Sequence, residues 1–421
     1  MNLEKLEKIF ESEKPFRLKQ AKQAIFRDLI EVWDEATTLP LVLREQLKKE
    51  VPLSIEAEIS TSADGKTSKA LICLEDKEEL EAVLMRHDGR NTVCVSSQVG
   101  CPLGCVFCAT GQMGFIRDLT AGEIVAQVLF WARWLKKNPP SHSEGEARPL
   151  RLVEGEARRI SRSFPPRLAL LVDARPGAIA QDDKKEKQND KNSVNVNRVN
   201  NVVFMGMGEP FLNYDNVFEA IKILNDDNLL GIGARHISIS TVGIIEGIER
   251  MALDMPQINL AISLHAPDDA LRQKLMPIDK KYPLEAIIAV AKDYVAKTNR
   301  KLMFEYIMIR GVNDSQEQAR QLVNLLDDRL FFVNLIAYNP TGGLAPLQNL
   351  QNNHDEAKES KKDFAMGLEP SLPAQIKKFK DILEKSGIQA LQRYRFGQDV
   401  RGACGQLASS RKVAKVMNGD N

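Results

Sequence analysis

Apolar positions recur every three to four residues near the N-terminus, then give way from about residue 91 to short apolar runs alternating with amphipathic stretches. Ala21, Ala24, Ile25, Leu29, Ile30 and Trp33 fall at helical spacing, which predicts a helix over Lys19–Trp33. A second helix is expected from Pro40, with Leu41, Leu43 and Leu47 as its apolar face. Residues 1–55 therefore read as a small all-helical domain. Residues 56–90 read as a connecting region with strand-like runs at Ala70–Cys73 and Glu81–Met85.

Six further runs predict strands at Thr92–Gln98, Asn201–Met207, His236–Thr241, Asn259–Leu264, Lys301–Ile309 and Phe331–Tyr338. Between them, helices are expected at Ala121–Trp134, Val217–Asn225, Leu284–Ala296 and Gln316–Leu326. Strands that alternate with helices build parallel sheets. Six such units are too few to close an eight-stranded barrel. The expected fold class is α/β, an open partial (βα)6 barrel over residues 91–344.

Two segments break this rhythm. Residues 137–199 contain a single aromatic, Phe164, and end in a Lys/Asp/Gln/Asn-rich run, a composition that cannot bury a core. Within them Glu144-Gly-Glu-Ala-Arg148 recurs as Glu154-Gly-Glu-Ala-Arg158, and two copies do not make a repeat architecture. The segment reads as a surface insertion, as does the shorter polar stretch 345–370. Residues 371–421 then predict a helix and a cysteine-bearing loop.

Composition narrows the class. Hydrophobic residues make up 43% and charged residues 27% of the 421 residues, ordinary for a globular protein. The net charge of +1 discriminates nothing, but the stretch Pro373–Asn421 carries ten Lys/Arg against four Asp/Glu. Such a basic tail suits nucleic acid or plain solvated surface equally. The first residues lack the apolar core of a signal peptide, and no apolar run reaches membrane-spanning length, so a cytoplasmic protein is expected. Six cysteines, three of them clustered, point to metal or catalysis rather than a disulfide scaffold.

That cluster is Cys101-Pro-Leu-Gly-Cys105-Val-Phe-Cys108, directly after the first predicted parallel strand. Three thiolates can hold three corners of a four-iron cluster. The fourth iron is then open to a small chelating molecule. A structural zinc site, with Cys94 as fourth ligand, is the competing reading.

At this spacing and position the motif resembles the radical S-adenosylmethionine (SAM) superfamily. The stretch from Cys94 through Phe115, together with Gly206-Met-Gly-Glu-Pro210, Ser263-Leu-His-Ala-Pro267 and Gly402-Ala-Cys404-Gly-Gln-Leu407, is similar to the RlmN/Cfr family of RNA methyltransferases. Phe16-Arg-Leu-Lys-Gln20 and Thr38-Leu-Pro40 resemble that family's N-terminal helical domain. The likeness spans the chain outside 137–199 and 345–370.

The resemblance implies a [4Fe-4S] cluster on Cys101, Cys105 and Cys108, and a ping-pong reaction using two SAM molecules. Cys404 would be methylated first. Its methyl carbon would then be turned into a radical that adds to C2 of an adenosine, in 23S rRNA at the peptidyl-transferase centre or in tRNA 3′ of the anticodon. Cys94 would resolve the protein–RNA adduct by forming a disulfide with Cys404. Glu81, thirteen residues before Cys94, would accept the ring proton, although Glu78 and Glu79 lie close and a solvated strand-end carboxylate is its bland alternative. SAM contacts would come from Gly208, Glu209, Ser240, Ser263, Leu264, His265 and Asn339, all at the C-terminal ends of predicted strands, where such sheets build their sites. His265 read alone is more often a packed polar residue than a ligand contact. Cys73 reads as a small buried apolar group.

The implied partners are 23S rRNA and tRNA, gripped by the helical domain and basic tail, and an external, flavodoxin-type electron donor, with the enzyme a monomer. The target base must leave its stack, which costs roughly a few kcal/mol. Two alternatives stay open: a Cfr-like enzyme that methylates adenine C8, and a non-enzymatic iron–sulfur or zinc protein that binds RNA.

Overall fold

A computed structural model of the chain describes residues 1–87, 89–139, 197–341 and 367–408. The predicted insertions 137–199 and 345–370, apart from their ends, and the tail beyond residue 408 lie outside the described residues.

Three helices open the chain: α1 (Leu3–Phe10), α2 (Pro15–Phe26) and α3 (Leu41–Glu50). Asn2 Oδ1 accepts the N–H of Lys5 and starts α1, while Pro15 occupies the first turn of α2, where its missing donor does no harm. The helix predicted over Lys19–Trp33 is thus corrected at both ends. It stops at Phe26 because Leu29 turns left-handed (φ 57°), letting the Ile30 N–H close back on the carbonyl of Ala24. Trp33 sits in a separate single turn, fully buried, its indole N–H on the carbonyl of Val51 at 2.7 Å.

The helices lie against a mixed sheet of ten strands. A meander of β1 (Glu56–Thr61), β2 (Thr67–Cys73), β3 (Glu79–His87) and β4 (Arg90–Val95) runs antiparallel. From β4 the pairing turns parallel through β7 (Asn201–Phe204), β8 (Ile237–Thr241), β9 (Asn259–Ser263), β10 (Leu302–Met308), β11 (Phe331–Ala337) and β12 (Gln389–Gln392). A two-stranded ribbon, β5 (Gln98–Gly100) with β6 (Phe115–Asp118), brackets the cysteine motif, in which α4 (Ala109–Met113) forms a short turn of helix.

The six predicted parallel strands are β4 and β7 to β11, each within three residues of its expected ends. Two strands of the ten-stranded sheet escaped the sequence reading, as did the ribbon of β5 and β6. The edge strand β1 is exposed on both faces and so shows no apolar alternation. The strand β12 has four residues, too few for a periodic signal.

The connecting helices are α5 (Ala121–Lys137), α6 (Tyr214–Asn225), α7 (Ile245–Asp254), α8 (Asp269–Leu275), α9 (Leu284–Thr298), α10 (Gln316–Leu325) and α11 (Pro373–Lys385). Reciprocal capping boxes, Thr120 with Glu123 and Ser315 with Gln318, begin α5 and α10. The face of α5 that carries Ile124, Val128, Trp131 and Leu135 is wholly buried. The other end of α5 anchors the N-terminal helices: Arg133 donates to the carbonyl of Leu53, Lys136 to that of Asp28, and Lys137 pairs with Glu31. Among the described residues no helix is long and apolar enough to cross a membrane.

Candidate active site

The cysteine motif is a tight turn pinned on both sides. Gly100 has φ 76°, and a Cβ there would strike the carbonyl of Gly114. The Cys101 N–H donates to that same carbonyl at 2.8 Å. Further along, the Val106 N–H reaches the carbonyl of Leu275, and Gln112 Nε2 reaches the carbonyl of Val106. Cys101 and Cys105 are buried and Cys108 half-buried, all three as free thiols. Burial raises all three thiol pKa values, and the charges of neighbouring thiolates in the trio add to this for each of Cys101 and Cys105. Cys108, also raised by burial, is pushed further by Cys404.

Onto this turn docks the loop that carries Cys404. The Ala109 N–H donates to the carbonyl of Gly405 at 2.8 Å, and Thr110 Oγ1 to that of Leu407 at 2.7 Å. Asn339, just past β11, donates through Nδ2 to the carbonyl of Cys404 and accepts from Gln398 on Oδ1. On the far side, the Ala408 N–H donates to Glu81 Oε2 at 2.9 Å. Three segments far apart in sequence thus fix one loop.

Glu81 is no solvated strand-end carboxylate. Its side chain is 1% exposed, pairs with Lys69 Nζ at 2.7 Å, and lies where Ser96 Oγ holds its backbone carbonyl. Burial raises its pKa despite the opposing pull of Lys69. Cys94, the penultimate residue of β4, pairs with Val83 on one side and Val203 on the other. Burial pushes its thiol up to about 12, the charge of Cys404 adding to the effect and Arg393 opposing it. Cys94 and Cys404 line one small cavity with Met205, Asn339, Arg393 and Phe396. A larger cavity, between α1 and the start of α5, contains none of the predicted site residues; half-buried Cys73 lines it instead of filling the core.

Arg393 is the residue that sequence reasoning missed. It lies just after β12, with its guanidinium 3.6 Å from the buried Glu305 of β10, and it feels the charges of both Cys404 and Cys94. A single arginine in a basic tail carries no signal of burial. Only the short strand β12 delivers it to the cavity.

The predicted SAM contacts cluster at the carboxyl ends of neighbouring strands. Gly208, with φ 98°, lets the backbone pass against Gln98, where any Cβ would collide. The next N–H, of Glu209, then reaches Gln98 Oε1. The buried Glu209 carboxylate accepts from the N–H groups of Phe211 and Val242, and burial raises its pKa to about 7. Ser240 is the penultimate residue of β8 and Ser263 the last of β9, followed by buried Leu264 and His265. His265 adopts a left-handed backbone (φ 61°), and its Nδ1 accepts the N–H of Ile307, leaving Nε2 as the ring's donor. Burial drives its pKa down to about 3, so the ring is neutral. The His265 and Phe107 rings meet edge to face, 4.9 Å between centroids.

One buried cation braces this end of the sheet. Arg272, fully buried on α8, pairs with Asp279 at 2.7 Å and donates to the carbonyls of Val242, Ser263 and Leu264. It fastens the ends of β8 and β9 together.

Residues 191–323 match the model of the Radical SAM superfamily. The chain is 39% identical over 411 residues to the probable dual-specificity RNA methyltransferase RlmN of Roseiflexus sp. (strain RS-1), covering 94% of this chain and 91% of the relative. It is 37% identical over 422 residues to the protein of the same name from Chloroflexus aurantiacus, covering 98% and 92%. The crystal structure of a radical SAM methyltransferase from Sphaerobacter thermophilus superposes with a TM-score of 0.74 at 34% identity, over 97% of this chain and 98% of that one. Identity of this order, sustained along more than nine-tenths of both chains, means that the protein belongs to the RlmN family of radical SAM RNA methyltransferases.

Proposed function

We propose that this enzyme methylates C2 of adenosine, in 23S rRNA at the peptidyl-transferase centre and in tRNA 3′ of the anticodon, through an S-methylated Cys404. The observation that carries the reading is the docking of the Cys404 loop between the Cys101–Cys108 turn and Glu81.

Membership of the radical SAM superfamily implies a [4Fe-4S] cluster and SAM. The donor set fits: the turn supplies two buried thiols and one half-buried thiol, and the mutual repulsion of their thiolates is what a cationic cluster would relieve. No group of three or more His, Cys, Asp or Glu closes around a single-metal position among the described residues. Cys101, Cys105 and Cys108 would hold the cluster, which with SAM supplies the radical chemistry that an electron-poor ring carbon requires. The proposed SAM contacts are Gly208, Glu209, Ser240, Ser263, Leu264, His265 and Asn339. The Glu209 carboxylate suits the SAM ammonium, and the neutral His265 offers a donor.

The remaining roles belong to the chain's own side chains. The Cys404 thiolate takes a methyl group from SAM. Once hydrogen has been removed from that methyl, its carbon bonds to adenine C2 and Glu81 accepts the C2 proton. Cys94 then attacks the Cys404 sulfur: the S–S bond forms as the S–CH2 bond breaks, the freed carbon takes up a proton to become the methyl group, and the one surplus electron would be returned to the bound redox cofactor, releasing the RNA. Arg393, beside both cysteines, favours the thiolate form of Cys94 against the effect of its burial.

The parallel strands β4 and β7 to β11 are read as the partial barrel and residues 1–55 as an N-terminal helical domain that grips RNA with the basic tail. Reduction by a flavodoxin-type donor, a monomeric state and a cytoplasmic setting complete the reading. The test is anaerobic reconstitution with iron and sulfide, reaction with SAM, reductant and RNA, and mass spectrometry of the digested nucleosides. The expected product is 2-methyladenosine. Formation of 8-methyladenosine would assign the Cfr-like reaction instead, and full activity in Cys404→Ala would overturn the two-cysteine mechanism.

A further inference from the structure

Glu81 is held by a partner on a different strand. In the β2–β3 register Lys69 lies opposite Val83 and Leu71 opposite Glu81, so Lys69 and Glu81 are diagonal neighbours on one face. A long side chain reaches across such a diagonal, and here the ammonium and carboxylate meet at 2.7 Å. Both are withdrawn from water, Lys69 to 13% and Glu81 to 1% exposure. Two further groups face this carboxylate: the Ala408 N–H from the Cys404 loop, and the charge of Glu79 on its own strand. The Met207 sulfur and Ser96 hydroxyl meet the backbone of Glu81 rather than its carboxylate.

The chemistry asks two incompatible things of Glu81. It must be enclosed to meet a buried ring carbon, yet enclosure favours the protonated form, which accepts nothing. We propose that Lys69 is a positioning residue for the proton-transfer step, keeping Glu81 ionised and fixing one carboxylate oxygen so that the other faces the Cys404 loop. The inference rests on the reading of Glu81 as proton acceptor. In the step itself the ring C–H bond breaks and its electron pair stays in the protein–RNA adduct. The proton forms an O–H bond with Glu81, and Lys69 keeps its own proton throughout.

The test uses reconstituted holoenzyme and substrate RNA, with two readouts: the pH profile of methylation, and the protein–RNA adduct on denaturing gels. Lys69→Met and Lys69→Gln should both move the acidic limb of the profile upward by about one pH unit or more, the size of effect an adjacent cation exerts on a carboxylate. Both should accumulate the adduct, while Lys69→Arg should restore the native profile. A native acidic limb in Lys69→Met and Lys69→Gln overturns the proposal. Glu81→Gln separates the two ideas. If it methylates RNA at the native rate, the acceptor assignment itself fails; if it is defective while the Lys69 variants match the native profile, only the role of Lys69 fails. S-methylation of Cys404 confirms that each variant is folded and binds SAM.

Discussion

Thr110 Oγ1 donates to the carbonyl of Leu407 at 2.7 Å, a buried bond between residues 297 positions apart. It joins the helical turn that follows Cys108 to the loop that carries Cys404. With the neighbouring Ala109–Gly405 bond, it makes the placement of one reactive sulfur depend on the turn holding the other three. Two parts of the mechanism are therefore held in one geometry by a hydroxyl that takes no part in the chemistry.

Replacing that hydroxyl tests the dependence. Thr110→Val keeps the side-chain shape but leaves a buried carbonyl unpaired, at a cost of about 1–3 kcal/mol. The loss should fall on the loop, with the Ala408 amide exchanging hydrogen faster and the amides of α5 exchanging as before. Unchanged protection at Ala408 would show that the loop is held without Thr110.

The pair Arg272–Asp279 makes a sharper stability prediction. Both side chains are fully buried, and Arg272 is committed to carbonyls at the ends of two strands. Arg272→Met strands a buried carboxylate, and urea unfolding should show a loss of about 3–5 kcal/mol. The double variant Arg272→Met/Asp279→Leu should recover part of it, because the unpaired charge is gone. If the double variant is as unstable as the single one, the carbonyl contacts matter more than the ion pair. SAM affinity should fall in both, since Ser263 and Leu264 lose their brace.

Glu209 gives the protein a pH dependence of predictable sign. Burial raises its pKa to about 7 in the folded chain, against about 4.3 for a free glutamate. Between these values the folded state holds a proton that the unfolded state has released. The contribution of Glu209 to stability is therefore full below about pH 4.3 and declines as pH rises through about 7. In cluster-free protein, unfolding free energies compared at about pH 5 and about pH 8 should differ less in Glu209→Gln than in the native chain. An unaltered difference would mean that Glu209 ionises normally despite its burial.

How far the sequence alone could reach differs from feature to feature. The parallel strands declared themselves by local pattern, β10 and β11 as near-continuous apolar runs buried on both faces and β8 by its alternation of Ile and Ser. The cysteine turn was equally legible, since ligand spacing on one short loop is itself local. The strands β1 and β12 were not, the first being an exposed edge and the second too short for a period.

The surroundings of the reactive groups lie beyond any local pattern. The sequence determined which residue types are available: three clustered thiols, a late cysteine between glycines, and a glutamate thirteen positions before Cys94. Tertiary structure alone decided that Glu81 is buried against Lys69, that Arg393 sits beside two cysteines and Glu305, and that Arg272 braces the ends of β8 and β9. The reason is physical. Spacing along the chain fixes which side chains share a strand or a turn, whereas charge state depends on desolvation and on partners brought from distant segments. Those partners exist only once the sheet has assembled.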